Sequence, residues 1–345
     1  MLLNKFLNNY CAFLFGVILA LSVSNVDAYP DMKEKDTQEV TPELDENSKD
    51  EKTDPKNLKE CKMQAKSKKD AKDCEKKFMK TIDEFIEEEE LSSIDGYMKI
   101  FTNEDNSEYF LRLDAEDLNS QFLYFSYIMN APQGSPLTGG LPSDGRVLEF
   151  RNFKKDSIGL YQINTNYING DETNNISKST ITNITEAFVE VFKPSAKTDE
   201  SVLINVNGIL LSEKLDSLSY VPNEYRERIA VNYGRPNESK TFVKNVFNND
   251  SNTAFEVTFA YENQAPNPRA YRVSAVTDPR YLSVTARHIF IKMPDDRFEP
   301  RVNDHRIGYF VNRSTDLTSY ENFANFALIN KWRLIKKNPD AEMSE

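Results

Sequence analysis

The sequence predicts a mainly β protein: antiparallel sheets with a few short helices, preceded by a charged N-terminal segment that is disordered or helical. From Ile94 onward, short apolar and aromatic runs are separated by Asn, Asp, Gly and Pro, the punctuation of antiparallel strands. Helical periodicity is sparse over that stretch. By contrast, Asp31 to Lys77 is dominated by charged residues and holds no aromatic, too little apolar surface to offset the entropy of ordering.

Residues 1–28 have the layout of a cleaved signal peptide. Lys5 precedes the apolar run Ala12–Val23, which closes on Val26-Asp27-Ala28 before Tyr29-Pro30. The run is shorter than the roughly twenty residues a membrane-spanning helix needs. The expectation is therefore an exported protein, periplasmic or extracellular, touching the membrane only through an uncleaved leader. Residues 29–73 read as a charged linker. In 74–92, Cys74, Phe78, Ile82 and Phe85 fall at helical spacing and the run Glu87–Glu90 is a solvated end, giving one amphipathic helix. The β-rich domain is 93–345.

Cys61 and Cys74 remain once the leader is removed, and two readings stand, a disulfide or two free thiols. One straight helix would hold them roughly 20 Å apart, against a limit of about 7 Å between bridged Cα atoms. A bridge thus requires the chain to turn back near Ser67.

Within the β domain, Gly96–Phe101 and Tyr109–Leu113 form a hairpin across Asn103–Asn106, and Gln121–Met129 is a strand. Val147–Phe153 and Ile158–Asn164 form the clearest hairpin. Further strands are expected at Ala187–Phe192, Val202–Val206, Phe242–Phe247, Thr253–Tyr261, Tyr271–Ala275, Ser283–Met293 and Trp332–Ile335. Ile209–Leu215 and Tyr320–Ile329 are the helical candidates.

A net charge of −12 with dispersed basic residues argues against a nucleic-acid partner. The chain has two histidines, far apart, so a His-Glu-x-x-His helix is impossible. His288 shares a strand face with Val284, Ala286 and Phe290 and reads as a packed residue. His305 sits in the polar turn Asn303–Arg306, where a turn or capping role is the default. No Gly-x-Ser-x-Gly elbow occurs, and a Ser-His-Asp arrangement would have to use one of these two histidines. Asn130–Arg146 is glycine-rich but lacks the Lys-Ser/Thr ending of a phosphate loop, and reads as a long connection or a mobile binding loop. Sequons at Asn175, Asn183, Asn237, Asn249 and Asn312 carry no weight in so asparagine-rich a chain. No catalytic, cofactor-binding or metal-ligating residue is assigned.

One ordered series is more specific. Gly96–Phe101, Gln121–Tyr124, Arg146–Phe150, Val202–Val206, Met293-Pro294, Phe298–Arg301, Asp304–Phe310 and Lys331–Leu334 resemble the long N-terminal region of a bacterial family of exported zinc-dependent metallopeptidases. His305 stands where that family's block usually has proline. In the family a His-Glu-x-x-His domain follows, whereas this sequence stops at Glu345. The resemblance therefore implies a non-catalytic accessory or pro-region, separated or truncated from its peptidase domain, with zinc belonging only to that domain and a separately encoded peptidase domain as the expected partner. The alternative is an independent exported β-sheet binding protein without enzymatic activity. The motif residues Arg301, Asp304, Arg306, Gly308, Tyr309, Phe310 and Trp332 are expected to be architectural. Tyr309, Phe310 and Trp332 should be buried, and the three charged residues should cluster around the turn.

Overall fold

Thr81 ends an extended approach and opens helix α1 (Ile82–Glu88) with a capping box. Its Oγ1 accepts from the Glu84 amide at 3.4 Å while the Glu84 carboxylate accepts from the Thr81 amide at 2.9 Å, serving amides that a first turn leaves unpaired. The box sets the start at Ile82, and the helix stops at Glu88, before Glu90 adopts a positive φ of 49°. Of the expected 74–92 helix, the described residues 79–92 are helical only over Ile82–Glu88, and 74–78 lie outside the described residues. The computed structural model describes residues 79–343 apart from 155–156, 169–181, 223–224, 226–227, 295–298, 317–324, 332–335 and 337, together with 61, 63, 65, 67 and 70. All belong to the unit Pro55–Glu345.

The mainly β class holds, with the strands of the described residues arranged in three sheets. The first orders β1 (Ser92–Ile94), β2 (Lys99–Thr102), β3 (Tyr109–Asp114), β10 (Ser201–Asn205) and β9 (Pro194–Lys197). An eight-stranded sheet follows the order β11 (Arg235–Pro236), β13 (Asn252–Glu262), β14 (Tyr281–Lys292), β4 (Gln121–Asn130), β5 (Arg146–Phe153), β6 (Ser157–Gln162) and β8 (Ala187–Phe192), with β12 (Phe242–Asn249) also paired to β13. A three-stranded sheet joins β16 (Asn325–Ile329), β15 (Val311–Asp316) and β7 (Tyr167–Ile168). The β15–β7 pair is parallel, a departure from the antiparallel rule followed by the other named pairs.

Layering explains the sequence texture. Ile100, Leu111 and Leu113 on one face of the first sheet pack with Phe122, Leu148, Phe150, Leu160, Phe255 and Phe290 of the eight-stranded sheet. On the opposite face Phe110, Ala196 and Leu203 receive Ile82, with Phe85 edge-on to Phe110 at 5.5 Å. Strand β3 is therefore buried on both faces and reads as a continuous apolar run, Tyr109-Phe110-Leu111. Strand β4, packed on one face, alternates instead.

Asn248 clasps the two sheets. Its Nδ2 donates to the Ile94 and Met98 carbonyls, both at 2.7 Å, and its Oδ1 accepts from Thr253 Oγ1 at 2.6 Å. Gly96 lies so close that a Cβ there would meet Asn248 Cγ at 2.3 Å. Side-chain bulk at that position is excluded by close approach.

Several expected elements differ. Tyr271–Ala275 is not a strand. Asn267 accepts from the Arg269 amide at 3.0 Å and Pro268 occupies the first turn, winding Pro268–Arg272 into a 3-10 helix. The C-terminal part of the Tyr320–Ile329 helix candidate is strand β16, because β15 supplies a full antiparallel partner from Val311↔Ile329 to Thr315↔Asn325. The helical turn at Ile209–Leu215 is confined to α2 (Asn207–Leu210). The strand expected at Trp332–Ile335 lies outside the described residues.

Candidate functional site

The inner face of the eight-stranded sheet carries polar groups where the core would otherwise be apolar. On β4, Tyr124, Ser126 and Ile128 alternate inward, and Ser126 lies opposite His288 of β14. Both Tyr124 and His288 have 0% exposure. The Tyr124 hydroxyl is 2.8 Å from His288 Nδ1, and the Phe259 ring stands edge-on to the imidazole at 5.6 Å. Burial pushes His288 down to about 4, opposed by the nearby Asp216 charge. Burial, reinforced by Asp216, raises the Tyr124 hydroxyl above the ordinary tyrosine range, so it stays protonated and donates.

After α2 the chain lowers two carboxylates onto this face. Asp216 accepts from Ser126 Oγ and lies 3.4 Å from Arg146, whose guanidinium also donates to the Leu215 carbonyl and sits 5.9 Å from the Tyr124 ring centroid. Glu213 accepts from the Tyr261 hydroxyl at 2.7 Å and from the Ser219 amide and hydroxyl, each at 2.6 Å. Burial first, then the Glu213 charge, raises the Tyr261 hydroxyl beyond its usual range. The segment from Glu213 to Ser219 is thereby fastened to the sheet by charge-assisted hydrogen bonds.

Ser, His and Asp meet here, but not in the order of a nucleophilic triad. A triad needs serine to give its proton to histidine and aspartate to hold the other ring nitrogen. Here Ser126 gives its proton to Asp216, Nδ1 is taken by Tyr124, and Nε2 has no hydrogen-bond partner among the described residues. The cluster fastens loop to sheet and leaves no nucleophile poised. His288 is the packed strand residue its spacing suggested. Among the described residues, no three His, Cys, Asp or Glu side chains are grouped to hold a metal ion.

The family-like block falls elsewhere, against the three-stranded sheet. The Ile329 amide donates to the Arg301 carbonyl at 2.9 Å, Asn303 to Ala327 at 2.8 Å, and Asn330 to Phe310 at 2.9 Å. With both ends of 301–310 bonded to β16 and its flank, the residues between form a projecting turn. Asp304 takes a forked contact from the Arg306 guanidinium and also accepts from its amide at 3.0 Å, which holds the Asp304 carboxyl below the usual range. Arg301 is exposed and does not join that pair, so the expected three-residue charged cluster reduces to two. His305 is 93% exposed at its side chain, a turn residue.

The expected burial of the aromatics does not hold. Tyr309 is 49% and Phe310 88% exposed, and Val302 and Ile307 are exposed as well. The backbone of the block is what the sheet consumes, leaving its side chains outward. A Cβ on Gly308 would meet nothing within 4 Å, so crowding does not demand glycine there. Trp332 lies outside the described residues. Cys61 is buried and disulfide-bonded, while Cys74 lies outside the described residues.

The Asn130–Arg146 connection is pinned along its length. Ile128 donates to Leu141, Gly140 to Ile128, Ser143 to Ser126, and Val231 to Gly134. Sequence reasoning found His288 but missed Tyr124, Arg146, Glu213, Asp216 and Tyr261. The available signal was Ser126 at an inward position of an otherwise apolar strand. Among the described residues no helix is long and apolar enough to cross a membrane.

No curated protein and no solved structure matches the chain. A family model does match, over residues 140–337. That span contains Arg146–Phe150, Val202–Val206, Met293–Phe310 and Lys331–Leu334, and excludes Gly96–Phe101 and Gln121–Tyr124. With more than half of its length matched, the chain belongs to the family described as a domain of unknown function, DUF5117.

Proposed function

We propose that this chain is the non-catalytic accessory or pro-region of an exported zinc metallopeptidase, acting through contact with a His-Glu-x-x-His peptidase domain. The observation that carries this reading is the projecting turn 301–310. In the block that most resembles the peptidase family, Val302, Ile307, Tyr309 and Phe310 face outward rather than into a core. Exposed apolar and aromatic side chains grouped on one turn are the composition of an interaction surface. Zinc and the peptidase chemistry belong to the partner in this reading, and the chain works in the periplasm or outside the cell.

The test is a titration of the purified chain against a His-Glu-x-x-His domain from the same genome, with peptidase rate followed in parallel. A defined complex that changes the rate or refolding yield of the peptidase, and that weakens in Phe310→Asp, supports the reading. No complex, or one indifferent to Phe310→Asp and Ile307→Asp, removes its support.

A second reading, an independent exported β-sheet binding protein without enzymatic activity, is favoured by a separate feature. Beside β11, residues 234–239 and 262–265 line an open groove of about 750 Å³, within the size range of ligand sites. Ligand binding by the chain alone, with no peptidase present, distinguishes it.

A further inference from the structure

The arginines of the sheet body are neutralised. Arg112 pairs with Asp114, Arg146 with Asp216, Arg151 with Glu149 and Glu186, and Arg287 with Glu256. At the β11 end this pattern breaks. Lys240 occupies Glu262 and Arg280 occupies Asp278, whereas Arg228, Arg235, Arg269 and Arg272 are exposed and have no carboxylate partner among the described residues.

The backbone brings these four together. Asn263 donates from its amide to the Arg280 carbonyl at 2.8 Å and from Nδ2 to the Asn232 carbonyl at 3.2 Å. Asn267 Nδ2 donates to the Ile229 carbonyl at 3.1 Å, tying the 3-10 helix of Arg269 and Arg272 to the segment of Arg228. Arg235 faces Glu262 across the β11–β13 ladder. Segments 228–240 and 262–281 together hold six basic and three acidic residues, in a chain whose net charge is −12. Tyr271 and Tyr281 are exposed on the same segments, with the Arg280 guanidinium 5.5 Å from the Tyr281 ring centroid.

We infer that this end of the molecule is a binding surface for an acidic polypeptide, laid as an extended segment in the groove beside β11. Guanidinium groups pair bidentately with carboxylates, and tyrosines supply rigid contact area. The groove lining decides between anions. Asn237, Ser239 and Asn263 both donate and accept, as a peptide backbone requires, while Glu262 is already engaged by Lys240 and Asn237. A nucleic acid or a sulfated glycan presents no extended peptide backbone to these groups. This surface names a ligand class for the second reading above and is independent of the peptidase contact.

The experiment is fluorescence anisotropy on the full chain at low salt, with a labelled glutamate-rich decapeptide and its glutamine counterpart. The acidic peptide should bind at least about tenfold more tightly than the glutamine one and weaken about tenfold in Arg269→Ala/Arg272→Ala, a change of roughly 1.4 kcal/mol. Arg301→Ala/Arg313→Ala, on the three-stranded sheet, should leave binding unchanged. Circular dichroism checks that each variant keeps its fold. Equal binding of the two peptides, indifference to the Arg269 and Arg272 substitutions, or tighter binding of heparin than of the acidic peptide would each overturn the inference. Failure here leaves binding of a peptidase domain untouched, so the two ideas fall separately.

Discussion

The Tyr124 hydroxyl hydrogen bonds to His288 Nδ1 at 2.8 Å on a sheet face closed to solvent. Because His288 is pushed down to about 4 in the folded protein, against an ordinary value near 6.5, the unfolded chain binds a proton there that the native state refuses. Stability therefore falls as pH drops from about 6.5 to about 4 and levels off below. The loss attributable to this group is on the order of 3 kcal/mol. Urea denaturation across that pH range checks it. His288→Asn, which retains an acceptor for Tyr124, should flatten the dependence while lowering stability overall, and an unchanged slope would contradict the assignment.

Asp216 should matter to stability because it answers two donors at once. Asp216→Ala strands Arg146 and Ser126, and the half-buried position of the pair suggests a cost of about 2 kcal/mol in urea unfolding. It should also loosen the Glu213–Ser219 segment, seen as faster amide exchange there than in β13.

Two glycines should respond in opposite ways. A Cβ on Gly234 would lie 1.9 Å from the Glu262 carbonyl oxygen, so Gly234→Ala should cost about 1–3 kcal/mol by forcing β11 away from β13. Gly308 has open space around it, and Gly308→Ala should stay within about 0.5 kcal/mol of the parent.

Outward placement of Phe310 predicts that Phe310→Ser leaves the melting temperature nearly unchanged. Phe255, buried between the sheets, should cost about 3–5 kcal/mol on truncation to Ala. A large loss from Phe310→Ser would return that aromatic to a core role.

Much of the fold was legible because strand periodicity is local. Tyr109–Leu113, Gln121–Met129 and Ala187–Phe192 fall on β3, β4 and β8 almost to the residue. Strands whose stability comes from a distant partner were not. The polar run Val311–Asp316 forms β15 only because β16 lies beside it, and the same pairing makes a strand of Asn325–Ile329, whose own sequence suits a helix. Apolar content likewise misled at Tyr309 and Phe310, since nothing in a turn says whether its aromatics point in or out. His288 was read correctly from the alternation of β14. Its companions escaped because Glu213 and Asp216 sit in an irregular loop whose docking no local pattern encodes.

The accessory reading is tested most directly by isothermal titration of the purified chain with a His-Glu-x-x-His peptidase domain from the same genome. The expected result is a saturable complex of fixed stoichiometry, weakened about tenfold or more by Phe310→Asp while that variant keeps its fold. No heat of binding with any such domain, or an affinity that Phe310→Asp and Ile307→Asp leave unchanged, would contradict it.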